Sequence, residues 1–280
     1  MKNLNIYIEE GLADWGDDDK LDKKISKQTS ESTIKKEIKQ WIKENYVDVK
    51  VNSLLIDFTD DGIMVDYTPS NKQNCIRLLR LRHHTSLTNG LFEWRNVGSS
   101  FSCQSTFIES LEGAPKTVEG DFYCNLCSKL TSLEGAPEKV GGEFNCSHCM
   151  SLKSLEGAPE EVGGDFSCNV CPLLTNLKGS PDKINGSFWC YFCNNLKNLE
   201  GAPKEVKYSF DCHNCKSLIS LKGAPKKIGR SFACEGCESL KTLEGMPNEI
   251  GWDFYCNDCG TKFTKDEIKR LSKVSGGIFC

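Results

Sequence analysis

Seven Cys-x-x-Cys pairs are the residues of this chain with the clearest capacity for chemistry. Paired thiolates at this spacing are typical zinc ligands, and Cys124, Cys127, Cys146 and Cys149 together match the spacing of a four-cysteine zinc site. Disulfide or redox chemistry is the other reactive possibility. The first cysteines of the seven pairs are Cys124, Cys146, Cys168, Cys190, Cys212, Cys234 and Cys256.

Three features of the pairs favour core packing over metal binding. The number of pairs is odd, so sites built from two pairs each would leave one pair unused. Thr106 stands where a second cysteine belongs without ending the pattern, and the alternation from Phe144 to Cys146 directs the first cysteine inward. A free cysteine packs as a small apolar residue. We therefore expect no metal and no other cofactor, with zinc at the pairs as the alternative.

The pairs recur every 22 residues, and a fixed period of this size predicts a stacked solenoid. Within one unit, Gly157 and Pro159 bend the chain where no long helix fits. The inward positions of that unit and of the corner that follows it are predicted to be Phe144, Cys146, Cys149, Leu152, Leu155 and Val162.

The flanks of the repeat divide the chain into four segments. Residues 1–31 are predicted to be a flexible N-terminal peptide and charged linker, and residues 86–263 to be the solenoid. Residues 264–280 begin with a capping box at Thr264 and form a capping helix, with Ile268 and Leu271 inward, and a glycine-rich tail. Residues 32–85 are predicted to be an α+β cap with a helix over 34–45 and strands at Val49–Asp57, Ile63–Tyr67 and Cys75–Arg82.

Composition and charge limit the classes of partner. A net charge of −4 and a pI near 5.7 argue against nucleic acid and anionic membranes. No apolar run reaches the roughly 18 residues of a membrane span, and the N-terminus lacks a secretory pattern. We therefore expect a reducing, cytoplasmic location with free thiols. One local basic cluster would suit a nucleic-acid role within the zinc alternative: Arg77, Arg80, Arg82, His83 and His84.

The repeat unit resembles the leucine-rich repeat consensus, with Phe144 and Cys146 in strand positions and Cys149 in its Asn/Cys position. The recurring Ser-Leu-Glu-Gly-Ala-Pro and Phe-x-Cys segments of residues 86–263 are similar to a repeat family of tailed phages and their relatives in gut bacteria. These resemblances imply a leucine-rich-repeat-like solenoid, encoded by a phage or prophage and acting in the bacterial host cell. Its partner would be a host or virion protein.

A short N-terminal stretch resembles the capsid-targeting peptides of internal head proteins in some tailed phages. The matching residues are Ile8, Glu9, Glu10 and Gly11. The resemblance implies cleavage after Glu10 by a head protease and packaging in the virion, which we keep as an alternative location and role.

Outward strand positions supply the candidate binding residues. Trp189 and Tyr191 fall in one unit, and exposed aromatic side chains beside charges are typical of protein interfaces. Asp211 and His213 could form an acid–base pair, but no nucleophile motif, phosphate loop or dinucleotide fingerprint accompanies them. The sequence therefore predicts a non-enzymatic protein-binding repeat protein. Its candidate binding residues are Trp189, Tyr191, Tyr208, Asp211, His213 and Arg230.

Overall fold

The computed structural model describes residues 31–59, 62–70, 75–78, 87–88 and 92–280. The peptide around Glu10 and nearly all of the predicted linker lie outside these residues. So do four members of the basic cluster, namely Arg80, Arg82, His83 and His84.

The described chain winds into a β-solenoid with repeats of about 22 residues, as the sequence predicts. One turn, here called a rung, contributes one short strand to each of two sheets, A and B. Sheet A contains, in spatial order, β1 (Tyr46–Val47), β4 (Cys75–Leu78), β6 (Ser100–Ser102), β8 (Phe122–Tyr123), β10 (Phe144–Asn145), β12 (Phe166–Ser167), β14 (Phe188–Trp189), β16 (Phe210–Asp211), β18 (Phe232–Ala233), β20 (Phe254–Tyr255) and β22 (Ile278–Phe279).

Sheet B lies on the neighbouring side of the solenoid, and its repeat strands are parallel and in register. Val162 was predicted to lie at a corner, but it lies in a strand of this second sheet. Sheet B contains β2 (Leu54–Thr59), β3 (Gly62–Tyr67), β5 (Glu93–Val97), β7 (Thr117–Val118), β9 (Lys139–Val140), β11 (Glu161–Val162), β13 (Lys183–Ile184), β15 (Glu205–Val206), β17 (Lys227–Ile228), β19 (Glu249–Ile250) and β21 (Lys273–Val274).

A column of phenylalanines fills the core beneath sheet A. From Phe101 to Phe210 successive rings stack almost in parallel, with centroids 5.7 Å apart for Phe101 and Phe122 and 5.1 Å apart for Phe188 and Phe210. The column changes at Phe232, whose ring stands edge-on to Phe210 at 84°. Each of these rings is fully buried, and burying one phenylalanine side chain contributes about 1.5–3 kcal/mol.

The turn between the two cysteines of each pair uses a left-handed backbone conformation. Leu126, His148, Val170 and Phe192 have φ values of 60°, 57°, 56° and 56° in the same repeat position. Gly236 occupies this position in a later rung with φ 68°. Most rungs therefore hold a residue with a side chain where glycine is the least strained choice.

The N-terminal segment extends both sheets and covers their first rung. Helix α1 (Glu31–Asn45) begins three residues earlier than predicted and buries the expected stripe Ile34, Ile38, Trp41 and Ile42. A 3-10 turn (Val51–Ser53) precedes β2, which pairs antiparallel with β3, and β1 pairs antiparallel with β4. The solenoid therefore begins with a small α+β unit.

The C-terminal segment differs from the prediction in two ways. Helix α2 (Lys265–Leu271) is capped by the Thr264 side chain, which accepts the Glu267 backbone N–H at 3.2 Å, and Ile268 is buried. Leu271 was predicted to point inward but is 50% exposed, because the helix ends there and the chain turns into β21. The predicted tail instead forms one more rung, whose strands β21 and β22 pair with β19 and β20.

Candidate functional site

The cysteine pairs form two buried columns in the core. The second cysteine of each pair donates its S–H to the carbonyl oxygen of the first cysteine one rung back. Cys149 reaches the carbonyl of Cys124 at 3.2 Å, and Cys171 reaches that of Cys146 at 3.4 Å. Cys193, Cys215, Cys237 and Cys259 repeat this contact along the solenoid at 3.2–3.3 Å. All seventeen cysteines are free thiols.

Burial raises the pKa of most of these thiols, that of Cys149 to about 12 and those of Cys124 and Cys146 well above the ordinary range. Hydrogen bonds with Cys103 and Thr106 have the opposite effect on Cys127, whose pKa is lowered to about 7. Thr106 replaces the second cysteine in an early rung, and its hydroxyl donates to the carbonyl of Cys103 in its own rung at 2.6 Å. The Thr106 hydroxyl therefore closes its own turn, whereas the thiols of the second cysteines link neighbouring rungs.

The four cysteines named as alternative zinc ligands occupy these core columns. Cys146 donates to the carbonyl of Ser167 at 3.3 Å, while Cys149 donates in the opposite direction along the stack. Within the described ranges, no group of three or more His, Cys, Asp or Glu residues is positioned to hold a metal ion. The geometry fits core packing, since zinc coordination requires convergent thiolates.

The outward face of sheet A holds Trp189 on strand β14. Its indole N–H donates to the Asp165 carboxylate at 3.3 Å, and the other oxygen of that carboxylate accepts the backbone N–H of Ser187 at 2.6 Å. The ring is partly buried and held from the rung below. Trp189 therefore presents an aromatic surface whose orientation is fixed by contacts within the chain.

Tyr191 lies two residues after Trp189 in the same rung. Its ring belongs to an aromatic cluster formed with residues of this rung and of the next one. Its ring stacks on His213 with centroids 4.7 Å apart and planes 15° apart, and Phe192 stands edge-on to His213 at 5.2 Å. The Asp211 carboxylate contacts His213 Nδ1 at 2.7 Å and also accepts the His213 backbone N–H at 2.9 Å. The Asp211–His213 pair is thus a local turn that orients the imidazole ring under Tyr191.

A polar concavity of about 420 Å³ adjoins the two aromatic residues. Glu143 accepts from the Asn145 amide at 2.8 Å and the Ser167 hydroxyl at 3.2 Å, and burial raises the pKa of its carboxyl against the effect of these bonds. The side-chain oxygen of Asn125 is buried without a hydrogen-bond partner. The lining residues are Asn125, Glu143, Asn145, Ser147, His148, Ser167, Asn169, Trp189 and Tyr191.

Tyr208 and Arg230 belong to a different cluster, at the corner between sheets B and A. The Arg230 guanidinium lies 4.3 Å from the Tyr208 ring centroid and 4.9 Å from that of Trp252. Lys207 approaches the Tyr208 ring at 5.6 Å. We call Tyr208, Arg230 and Trp252 the corner ladder.

The structure therefore divides the six predicted binding residues into two groups. Trp189, Tyr191, Asp211 and His213 share the outward face of sheet A, and the other two lie in the corner ladder. Trp252 was not predicted, although it follows Arg230 by one repeat of 22 residues. Phe192, Asp165 and the polar concavity were not predicted either, although their residues share repeat positions with Trp189 and Tyr191 or with the residues beside them.

Of the basic cluster Arg77, Arg80, Arg82, His83 and His84, only Arg77, on β4, lies inside the described ranges. It forms an ion pair with Asp48, and both side chains are about half exposed. This pairing raises the pKa of the guanidinium and leaves its charge compensated by a neighbour. Arg77 therefore adds nothing specific to the nucleic-acid alternative.

Comparisons with protein-family models, curated proteins and solved structures find no match for this chain. None of the helices in the described part of the chain is long and apolar enough to span a membrane.

Proposed function

We propose that this chain is a non-enzymatic protein-binding repeat protein that uses the outward face of sheet A around Trp189. The observation that carries the proposal is the arrangement of Trp189 and Tyr191. Both aromatic side chains lie on one rung, partly exposed, and each is held by a residue of a neighbouring rung. Large side chains whose rotamers are already restricted lose little entropy on binding, which is why they serve as interface anchors.

The concavity beside these anchors supports the same function. Its polar lining includes the unpartnered oxygen of Asn125, and a buried acceptor without a partner costs about 1–3 kcal/mol. An aromatic edge next to a polar hollow also matches the usual division of an interface into anchors and a hydrogen-bonding surround.

The source and location belong to the proposal as well. The repeat sequence and the Ile8–Gly11 peptide support a phage or prophage protein, working without a cofactor in the cytoplasm of the bacterial host. Its partner would then be a host protein or a virion protein. Packaging as an internal virion protein is the alternative, and it predicts virion-derived chains that begin at Gly11.

Affinity capture with paired variants tests the binding face. Full-length wild type, Trp189→Ala plus Tyr191→Ala, and Tyr123→Ala plus Tyr255→Ala are immobilised and exposed to bacterial lysate with or without phage infection. The control removes two aromatic residues from the repeat position of Trp189 at the ends of the same face. We expect partners retained by wild type and by the control to be lost from the Trp189 variant. Identical partner lists for all three proteins would contradict the proposal.

A further inference from the structure

The corner ladder interrupts a column that is otherwise built from glycine. The second corner residue, directly before the sheet A segment, is glycine at Gly142, Gly164, Gly186 and Gly276 but Tyr208, Arg230 and Trp252 in three consecutive rungs. A Cβ on Gly186 would lie 2.3 Å from the Asp165 carboxylate and 2.4 Å from the backbone of Gly164. Large residues at this corner therefore need a local change in the rung below.

A change of this kind is present below each of the three ladder residues. Where the corner residue is glycine, the residue directly before the strand phenylalanine of the preceding rung can be a carboxylate. Asp165 takes this place below Gly186, and Asp253 takes it below Gly276. Below the three ladder residues the equivalent positions are all serine, whose side chain is shorter than that of aspartate and carries no charge. These positions are Ser187, Ser209 and Ser231. Two columns change together, so the ladder is a built feature of the corner.

Arg230 is prepared for an anionic ligand by this arrangement. The Tyr208 and Trp252 rings, from the rungs below and above, lie 4.3 and 4.9 Å from its guanidinium carbon, while its side chain forms no hydrogen bond or ion pair within the described part of the chain. The N–H groups along the guanidinium edge therefore have no protein acceptor. The two neighbouring rings attract the cation and restrict the directions from which water reaches it, and a charge-assisted bond can still form at its open edge.

Neighbouring charges favour a carboxylate over a phosphate polymer. Lys204 and Lys227 are already paired with Asp182 at 3.1 Å and Glu249 at 3.6 Å, which leaves Lys207, 5.6 Å from the Tyr208 ring centroid, as the nearby cation without an ion pair among the described residues. Tight binding of a phosphate backbone requires several available cations, whereas a single carboxylate matches one guanidinium edge through two parallel hydrogen bonds.

We infer that the corner ladder is a binding site for an acidic peptide segment, in which Arg230 holds a glutamate or aspartate carboxylate between the rings of Tyr208 and Trp252. Trp252 is 54% exposed and Tyr208 is 36% exposed, so both rings can also contact the residues beside that acid. Gly186 and Gly276 flank the ladder and leave its two ends open to an extended chain. The site is separate from the Trp189 face, and its test needs no partner of that face.

Two bead-bound hexapeptide libraries provide the test, with glutamate or glutamine fixed at the third position and neutral residues elsewhere. Labelled full-length protein is added at about 0.1 M salt, where exposed charges more than about 10 Å apart are screened. We expect wild type to bind the glutamate library at least about five-fold more than the glutamine library, as a bidentate charge-assisted contact predicts. Arg230→Gln should abolish that preference, and Arg230→Lys should lose most of it because lysine lacks the planar fork.

Lys226→Gln removes the same charge from an exposed position outside the ladder and should behave as wild type, as should Trp189→Ala plus Tyr191→Ala. Unchanged urea midpoints for Arg230→Gln and Arg230→Lys check folding. Equal losses in Lys226→Gln and Arg230→Gln, or no preference in wild type, would overturn the inference. Stronger retention by a phosphoserine library than by the glutamate library would overturn the choice of a carboxylate. Failure here leaves the Trp189 face to its own capture experiment.

Discussion

Each second cysteine does two things in this fold. It fills a small apolar volume, and it donates a hydrogen bond to a backbone carbonyl one rung away, as Cys149 does to Cys124. A serine or threonine hydroxyl could also donate, but Thr106 donates within its own turn to Cys103, and a hydroxyl is costlier to bury when its bond is imperfect. A thiol is a weak donor and a good core residue, which suits a position that must be both.

The protonated state of these thiols makes stability depend on pH. Burial raises the pKa of Cys149 and of Cys193 from 9.0 to about 12 in the folded chain. The unfolded chain begins to release these protons near its own pKa of about 9, while the folded chain keeps them. The thiols therefore contribute fully to the unfolding free energy below that pH, and the unfolding free energy falls as the pH rises above it. Each such thiol contributes a slope of about 1.4 kcal/mol per pH unit.

Urea unfolding with a reductant at about pH 7.5, 8.5, 9.5 and 10.5 measures this dependence. We expect little change between the first two values and a steep fall in the unfolding free energy above them. The variant Cys149→Ala plus Cys193→Ala should be less stable at neutral pH and should show a shallower slope. A slope equal to that of wild type would contradict the assignment of these two thiols as buried and protonated.

At the scale of elements, the strands are shorter than a sequence pattern can detect. Glu161–Val162 contains two residues and has no internal alternation, so only its partner strands 22 residues away reveal it as a strand. The same limit applies to β10, where the predicted strand extended to Cys146 and the observed one ends at Asn145. Hydrogen bonds between rungs, not local propensity, define these strands.

The left-handed turn between the cysteines stores strain that one substitution should release. Val170 is β-branched and has φ 56°, whereas Gly236 occupies the same repeat position without a side chain. We expect Val170→Gly to raise the unfolding free energy by about 0.5–1 kcal/mol, since a left-handed conformation costs an L-residue about 1–2 kcal/mol. Val170→Ala retains the Cβ and should gain less. Equal effects of the two substitutions on urea unfolding would argue against strain at this turn.

The outward residues of sheet B alternate in charge from rung to rung. Lys183 lies in register between Glu161 and Glu205, and further along the sheet Lys227 pairs with Glu249 at 3.6 Å. Strands about 4.8 Å apart would place like charges side by side without this alternation. The alternation therefore lets the charged column stack without repulsion.

Reversing one charge in this column should destabilise the solenoid. Lys183→Glu places three glutamates on adjacent strands, and we expect it to lower the unfolding free energy by about 0.5–1 kcal/mol at low salt. Lys183→Gln should cost less, and about 0.5 M NaCl should narrow the difference between the two variants because it screens exposed charges. Identical unfolding curves for both variants at low salt would show that the alternation has no energetic role.

For the whole molecule, the period alone predicts the solenoid and its inward columns, because every rung repeats the same apolar positions. The last rung was missed because helix α2 separates it from the others, although Lys273, Val274 and Ile278 repeat the earlier pattern of strand residues. The sequence predicted individual binding residues of the candidate site, but it did not predict the contacts between them. Contacts such as that of Trp189 with Asp165 join residues 24 positions apart, and no local pattern indicates them.

The cysteines build the interior of the solenoid, and we propose that its outward surfaces carry the function. Native mass spectrometry of the full chain, purified under reducing conditions without a chelator, tests that division most directly. The account predicts the mass of the bare chain, 31.3 kDa, with all thiols reduced. Several additional zinc masses, lost on acidification together with the folded state, would contradict it and make the cysteine pairs the functional site.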